Sequence, residues 1–376
     1  QVTSTFPDVF NIDTQNPTVI GVVVNDPLLT DGDVGAGKFT VAVTFSDGMN
    51  TSLDPTISFT PGVSSTLTLA DDSWSGKTFT ATYNVADAGV AVSNVGISVT
   101  GAQDLAGNPQ TGYSGSNNFS VDTQNPTVST VVANVSTVAD ANVGSQTFTL
   151  TVVYSEAMNT WVDPTIGFPT VGEDPTAAPA TLTPSAGTWN GSTTTYVAKY
   201  DVADLSLTMP NIDVRISGAQ DLAGNAQVTS TFADVFSIDT QNPTVIGVVV
   251  NDPLLTDEDV GAGKFTVAVT FSEGMNTSLD PTISFLPDVS STLTLAGGGW
   301  SGDTFTATYN VADAGVAVSN VGISVTGAQD LAGNPQVTST FPDVFNIDTQ
   351  NPTVIGVVVN DPLLTDGDVG AGKFTV

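Results

Sequence analysis

The sequence predicts an all-β protein made of tandem sandwiches, and three observations lead to that prediction. Hydrophobic residues make up 40% of the chain, and 36 Gly and 21 Pro supply turns between short segments. Those segments alternate apolar and polar residues with a period of two, which is the side-chain period of a β-strand. Two motifs also recur at intervals of about one domain length.

The two motifs set the domain boundaries. The motif DTQNPTV recurs at spacings of 109, 117 and 109 residues, beginning at Asp13, Asp122, Asp239 and Asp348. The motif GAQDLAGN begins at Gly101, Gly218 and Gly327. We therefore expect three complete domains, at residues 13–121, 122–238 and 239–347. Residues 1–12 match the segment that precedes Asp239, which predicts the last strand of a preceding domain, and residues 348–376 are expected to begin a fourth.

Seven strands, A to G, are predicted in the first repeat. In chain order they are PTVIGVVV, GKFTVAVTFS, TISF, STLTLA, KTFTATYNV, NVGISVTG and NNFSVD. Alternation places seven side chains inward, namely Phe39, Val41, Val43 and Phe45 on strand B and Phe79, Ala81 and Tyr83 on strand E. Seven short strands in about 110 residues are typical of an immunoglobulin-like sandwich. We expect Trp74, just before strand E, to pack at the edge of the core.

Composition excludes several classes of partner and chemistry. Six basic and 38 acidic residues give a net charge of -32, which would repel nucleic acid and anionic lipid. Cys and His are absent, which removes disulfides, thiol chemistry and the commonest zinc ligand and general base. The sequence has no apolar run of 18 residues, so we expect no membrane insertion in this segment.

Acidic residues recur at both ends of the predicted sandwich. The start of strand A, the B–C loop and the F–G loop share one end in this topology. That end carries Asp13, Asp47, Asp54 and Asp104 in the first repeat, Asp122, Glu156, Asp163 and Asp221 in the second, and Asp239, Glu273, Asp280 and Asp330 in the third, with Asp348 opening the next. The A–B loop at the opposite end carries Asp31 and Asp33, Asp140 and Asn142, and Asp257 and Asp259.

These acids predict a calcium site at each junction. Domains stacked end to end bring the A–B loop of one against the acidic group of the next, where carboxylates repel unless they protonate or bind a cation. Hard oxygen ligands beside a Gly-rich loop suit calcium. Asp and Asn are also ordinary turn residues, and for any one of them alone that interpretation is preferred. The recurrence of the whole set in every repeat favours the metal.

Three motifs together resemble a known family. The segments SEAMNTWVDPTIGF, QDLAGN followed by FSVDTQNPTV, and the DGDVG loop are similar to the bacterial immunoglobulin-like repeats of giant calcium-dependent surface adhesins. The resemblance implies that calcium near the linkers stiffens a long extender, while adhesion resides in other modules. It marks Asp13, Asp122, Asp239, Asp348 and the Asp of each DLAGN as the best ligand candidates. It also implies an extracellular location, at the cell surface or secreted.

The function expected is therefore structural, as a stalk or filament of an adhesin or matrix fibre. Its partners are expected to be the adjoining domains of the same chain, with lateral or end-to-end self-association left open. An enzyme is not expected, because the paired carboxylates recur in every repeat and no His or cleft-forming insertion accompanies them. The alternative is a carbohydrate-binding accessory module, which would need a row of exposed aromatic residues. Trp161 and Tyr113 alone hint at such a row.

Overall fold

The computed structural model describes residues 3–4 and 10–376 of the chain. In that part the fold is all-β, with strands joined by loops and by four short 3₁₀ turns: η1 (Asp31–Asp33), η2 (Asp140–Asn142), η3 (Asp257–Asp259) and η4 (Asp366–Asp368). None of the described residues belongs to a helix that is long and apolar enough to cross a membrane. The strand expected at residues 1–12 falls largely outside the described residues and stays a prediction.

The chain divides into two compact units. The first unit comprises the chain up to Ser136 together with Asn142–Ala203 and Met209–Ser237. The second unit comprises Thr137–Ala141, Asp204–Thr208 and Ile238–Val376. The division passes through the second repeat, so that its A–B loop belongs to the second unit.

The first repeat is a two-sheet sandwich within the first unit. Its strands are β1 (Val19–Val24), β2 (Leu28–Leu29), β3 (Gly35–Phe45), β4 (Thr56–Thr60), β5 (Leu67–Ser75), β6 (Thr78–Val85), β7 (Ala91–Thr100), β8 (Tyr113–Ser114) and β9 (Phe119–Asp122). One sheet has the order β1-β3-β6-β5, and the other has the order β2-β9-β7-β4 with β8 beside β7. The seven predicted strands are therefore confirmed. The short β2, which pairs in parallel with β9, and β8 are additions.

The alternating residues of β3 form the centre of this sandwich. Phe39, Val41, Val43 and Phe45 are all fully buried, as the period of two predicts. The ring of Phe39 lies 4.7 Å from the ring of Phe119 on the opposite sheet, centroid to centroid. Apolar side chains therefore meet between the sheets, and their burial is the main stabilising term. Trp74 packs at the edge of this core, as expected.

The second repeat has the same architecture. Its strands are β10 (Val128–Ala133), β11 (Thr137–Val138), β12 (Gly144–Tyr154), β13 (Thr165–Gly167), β14 (Leu182–Trp189), β15 (Thr195–Val202), β16 (Thr208–Ser217) and β17 (Ser230–Asp239). Strands β10, β12, β15 and β14 form one sheet in that order, and β13 pairs antiparallel with β16. Longer connections between β13 and β14 and between β14 and β15 account for the greater length of this repeat.

The third repeat is a sandwich within the second unit. Its strands are β18 (Val245–Val250), β19 (Leu254–Thr256), β20 (Gly261–Phe271), β21 (Thr282–Leu286), β22 (Leu293–Ser301), β23 (Thr304–Val311), β24 (Ala317–Thr326) and β25 (Ser339–Asp348). The sheets have the orders β18-β20-β23-β22 and β19-β25-β24-β21. In residues 349–376 the structure has η4 and no strand, so the fourth domain stays a prediction.

Truncation of a central side chain should destabilise the first repeat locally. We expect Phe39→Ala to lower the free energy of opening of the β3 amides by about 3–5 kcal/mol, because it removes buried contacts and leaves a cavity. Hydrogen exchange of the full chain measures that free energy directly. The control is Ile20→Ala, since Ile20 is 66% exposed on β1 and should change it by less than about 0.5 kcal/mol. Equal effects of the two substitutions would contradict the assigned core.

Candidate metal centre

The linker aspartate ends a strand in three of the four DTQNPTV motifs. Asp122 is the last residue of β9, and Asp239 is the last residue of β17. Each carboxylate accepts the N–H of the residue two positions later, Gln124 or Gln241, at 3.3 Å. Pro126 follows and has no N–H to donate to a sheet. Strand pairing therefore stops here, and the linker carboxylate stays at the end of the sandwich.

The DLAGN motif folds into a tight turn around its aspartate. Asp221 is 1% exposed, and both of its carboxylate oxygens accept from Asn225, from the N–H and from Nδ2, each at 2.8 Å. Gly224 has a φ of +91°, which favours glycine. In the first repeat, burial alone would raise the pKa of Asp104, but hydrogen bonds from Asn108 and from neighbouring N–H groups hold that pKa below its ordinary value. In the first repeat, the turn therefore keeps the Asp104 carboxylate charged.

Three carboxylates of each repeat meet at one end of the sandwich. The B–C loop, which follows β3, β12 or β20, supplies the third member beside the linker and DLAGN aspartates. Within each group, one oxygen of every residue lies within 4.8 Å of the others. The groups are Asp13, Asp47 and Asp104; Asp122, Glu156 and Asp221; and Asp239, Glu273 and Asp330. The structure thus brings together these predicted site residues.

The fourth acid predicted at this end does not join these groups among the described residues. Asp54 accepts the indole N–H of Trp74 at 2.8 Å, and Asp163 accepts that of Trp189 at 3.0 Å. A half-buried indole N–H needs such an acceptor. Asp280, at the equivalent position, lines a groove beside β21 and β22. In these two repeats, therefore, the acid at this position bonds to a tryptophan on the neighbouring strand β5 or β14.

The second residue of the A–B loop pair caps its own turn. Asp33 accepts from the N–H and the hydroxyl of Thr30 at 2.9 and 3.0 Å. Asp259 repeats this arrangement with Thr256. The equivalent Asn142 offers its main-chain carbonyl to the Thr147 hydroxyl. Asp33 and Asp259 therefore act as turn residues, which is the alternative to a metal ligand that the sequence left open.

The acids near the end of the chain are more exposed. Asp257, the first residue of η3, lines an open groove together with Asp348. Asp348 ends β25, and its carboxylate accepts the N–H of Gln350 at 3.3 Å. Among the described residues, neither Asp257 nor Asp348 belongs to a group of three neighbouring carboxylates.

The first residue of the A–B loop contacts the acidic group of the following repeat. Within the first unit, Asp31 Oδ2 accepts from Asn125 Nδ2 at 2.7 Å, and the N–H of Asp31 donates to Asn225 Oδ1 at 2.9 Å. Asn225 Nδ2 also donates to the main-chain carbonyl of Asp122 at 2.9 Å. The loop of one repeat and the acidic group of the next therefore form one site, which we call the first junction site (Asp31, Asp122, Glu156 and Asp221).

A second junction site lies within the second unit. It comprises Asp140, Asp239, Glu273 and Asp330. Asp140 Oδ2 accepts from Asn242 Nδ2 at 2.7 Å, and the Asp140 N–H donates to Asn334 Oδ1 at 2.8 Å. The sequence patterns predicted the acids but not these asparagines. The signal was present, because they occupy fixed positions in DTQNPTV and DLAGN.

Charge accumulates in the first junction site. Burial, followed by the charges of Asp221 and Asp31, raises the pKa of Asp122. Burial and the charges of Asp122 and Asp221 likewise raise the pKa of Glu156. Asp31 Oδ1 and Glu156 Oε1 are shielded from solvent and have no hydrogen-bond partner. A buried carboxylate oxygen without a partner is costly, so these two atoms point to a cation.

The second junction site has the same electrostatic character. Burial, followed by the charges of Asp239 and Asp330, raises the pKa of Glu273 to about 7. Burial and the charges of Asp330 and Asp140 raise the pKa of Asp239. Asp140 Oδ1 and Glu273 Oε1 again have no hydrogen-bond partner. The equivalent oxygens are thus left unpaired at both sites.

The donor set suits a hard divalent cation. Each junction site offers carboxylates from four residues, and the chain contains no His or Cys that would favour zinc or copper. Calcium takes six to eight oxygen ligands in flexible geometry, whereas magnesium demands a near-ideal octahedron. Acids contributed by three loops and a linker match the first requirement better. These residues therefore fit calcium.

Comparison with known proteins finds resemblance only at the level of structure. No known protein family matches the sequence, and no curated protein matches it. The I-band fragment I67–I69 from titin is 11% identical with a TM-score of 0.37, over 90% of this chain and 100% of that one. The protocadherin GammaB4 extracellular domain is 14% identical with a TM-score of 0.38, over 95% of this chain and 53% of that one. Mouse cadherin-23 EC22-24 is 12% identical with a TM-score of 0.35, over 89% of this chain and 98% of that one.

The raised pKa of Glu273 gives a testable pH dependence. Without metal, the folded state holds this proton up to about pH 7, whereas an ordinary glutamate releases it near 4.5. The stability that it contributes is therefore full below about pH 4.5 and is lost as pH rises through about 7. We expect thermal melts in chelator to show the second unit losing stability from pH 5 to pH 8. Calcium should reverse the trend, because its ligands must be deprotonated.

A matched pair of variants isolates this group from the general effect of net charge. Glu273→Gln should flatten the pH dependence in chelator. Glu258→Gln, at an exposed position on η3, should leave the dependence as in the parent protein. An unchanged slope in Glu273→Gln would show that the buried carboxyl does not carry the effect.

Proposed function

We propose that this chain is a structural repeat region of an extracellular protein, in which calcium at the junctions stiffens the connection between successive sandwiches. One observation carries the proposal. The first acid of an A–B loop lies beside the three carboxylates of the following repeat, with shielded and unpaired oxygens on both sides of the junction. The same arrangement occurs at Asp31 and at Asp140.

A cation at this position would couple two repeats. Ligands would come from one sandwich through Asp31 and from the next through Asp122, Glu156 and Asp221. Rotation of one sandwich against the other would then pull ligands away from the ion. Binding of the ion would thereby make the connection between the two sandwiches resist bending. The immunoglobulin-like cores would not change. The partners in this function are the adjoining repeats of the same chain.

An extracellular setting is consistent with this chemistry. Extracellular calcium modules bind in the range of about 0.1–1 mM, so that they fill outside cells and not in the cytosol. The net charge of -32 is also suited to a well-hydrated surface in a salty medium. With the resemblance of its motifs, this favours a stalk of a bacterial surface adhesin or a filament of an extracellular matrix fibre. Self-association, lateral or end to end, stays a prediction.

The carbohydrate-binding alternative has less support. Trp161 is 94% exposed and could contact a ligand. Tyr113, the other aromatic residue considered, instead packs against the core of the first repeat. The two residues also lie in different repeats, so they do not form the row of aromatic side chains that such a module needs. We therefore do not propose this function.

Calcium binding should depend on the junction acid and not on the loop alone. We expect the full chain to bind calcium at both junction sites, and Asp31→Asn to lose one of them. The matched control is Asp257→Asn, because Asp257 begins the equivalent turn in the third repeat and lines a groove that contains none of the three carboxylate groups of the described residues. Isothermal titration calorimetry counts the sites. At calcium a hundred times above Kd, each site should add about 2.7 kcal/mol to the free energy of unfolding.

Two results would overturn the assignment. If Asp31→Asn and Asp257→Asn each lost the same number of calcium sites, calcium binding would not require a complete junction. An identical melting temperature in calcium and in chelator would show that the cation does not act on the folded chain.

Stiffening is tested separately from binding. We expect chelator to broaden the distribution of interatomic distances in small-angle X-ray scattering and to reduce the radius of gyration, because unlinked repeats bend more freely. Asp31→Asn in calcium should move part of the way toward the chelated profile, and Asp257→Asn should not. Superimposable profiles with and without chelator would remove stiffening from the proposed function.

A further inference from the structure

Each junction contains a pair of asparagines with a role distinct from that of the acids. Asn125 Nδ2 donates to Asp31 Oδ2 at 2.7 Å, and Asn225 Oδ1 accepts the Asp31 N–H at 2.9 Å. Asp31 is thus held by its side chain and by its backbone. Its other carboxylate oxygen, Oδ1, is shielded from solvent and unpaired. Both asparagines belong to the repeat that follows Asp31 in the sequence.

The second unit repeats the arrangement atom for atom. Asn242 Nδ2 donates to Asp140 Oδ2 at 2.7 Å, and Asn334 Oδ1 accepts the Asp140 N–H at 2.8 Å. Asp140 Oδ1 is again the oxygen without a partner. The second junction has a turn of the same length but different composition, DANVG in place of DGDVG. The two bonds persist although the loop changes.

We infer that these asparagines form a latch that closes each junction without metal and positions the aspartate to bind calcium through one oxygen only. The positioning of the aspartate for calcium rests on the proposed calcium function. The closing of the junction without metal is independent of that function. A carboxamide can supply both halves of the contact, because it donates through nitrogen and accepts through oxygen at any pH. The bond from Asn125 is charge-assisted, which makes it stronger than one between neutral groups.

Occupation of one oxygen determines how the aspartate can bind an ion. Asp31 Oδ2 already accepts a hydrogen bond from Asn125, so Oδ1 is the oxygen available to bind a cation. Asn225 also contacts the acids of the following repeat, because its Nδ2 donates to Asp221 Oδ2 at 2.8 Å and to the Asp122 main-chain carbonyl. The asparagines are therefore positioning residues. They set the separation of the acids before an ion arrives, which lowers the cost of ordering the site.

The first repeat provides an internal control. Asn16, the counterpart of Asn125, donates to the Pro109 carbonyl at 2.8 Å, as Asn125 does to the Ala226 carbonyl at 3.0 Å. No A–B loop acid bonds to Asn16 among the described residues. Asn16→Ala and Asn125→Ala therefore remove the same bond inside a repeat. Only Asn125→Ala also opens the latch.

The test compares these two variants in the full chain, with and without calcium. In chelator, we expect the amide of Asp31 to be protected from hydrogen exchange in the parent protein, to exchange at least tenfold faster in Asn125→Ala, and to be unchanged in Asn16→Ala. In calcium titrations, Asn125→Ala should weaken one junction site by about 10–100-fold, the effect typical of removing a residue that orients a metal ligand. Asn16→Ala should leave both junction sites unchanged.

A charge exchange separates positioning from general destabilisation. The double substitution Asp31→Asn with Asn125→Asp restores a carboxamide–carboxylate pair with the roles reversed. In chelator it should recover the protection that Asn125→Ala loses. Circular dichroism of each variant confirms that the sandwiches remain folded.

The outcomes distinguish the latch from the calcium function. An unprotected Asp31 amide in chelator, or equal effects of Asn16→Ala and Asn125→Ala, would overturn the latch and leave calcium binding standing. Protection in chelator with no calcium binding to the parent protein would overturn the calcium function and the positioning role, and would support the metal-free contact alone.

Discussion

The mutual repulsion of carboxylates that share a partly buried space is the constraint on which each junction depends. Glu156 and Glu273 stand beside two aspartates of their own repeats, and Asp31 or Asp140 adds a further charge from the preceding loop. Water would normally screen such charges, but part of it is displaced, and the pKa of Glu273 is raised to about 7. Protonation or a bound cation would relieve this repulsion, and in the proposed function a cation does so above pH 7.

The sandwich topology places the charges. The strand that ends at Asp122 passes directly into the next repeat, so the linker acid is fixed at the end of the sheet. The B–C and F–G loops return to that same end, and the antiparallel bridges Met158 to Asp221 and Met275 to Asp330 join them. Three segments that are far apart in sequence thus present one oxygen each within 4.8 Å of the others. A rigid core is what makes this separation reproducible from one repeat to the next.

The acids of the candidate site differ in how far the sequence could predict their roles. Recurrence was sufficient for Asp122, Glu156 and Asp221, because each acid ends or closely follows a strand whose position the alternating pattern fixes. Recurrence was not sufficient for Asp54 and Asp163, whose carboxylates accept the indole N–H of Trp74 and Trp189. A pattern shows that a residue is retained in every copy. It does not show which neighbour the residue is retained for.

The sequence by itself determined the seven main strands of the first repeat, the inward faces of β3 and β6, the repeat frame and the end of the sandwich at which the acids gather. These properties are local or periodic, so spacing alone specifies them. Only the tertiary structure decided which acid of the A–B loop faces the next repeat and which caps its own turn, and that Asn125 and Asn225 hold the former. Those choices depend on side-chain direction across contacts as distant as 194 residues in sequence, which no local pattern encodes.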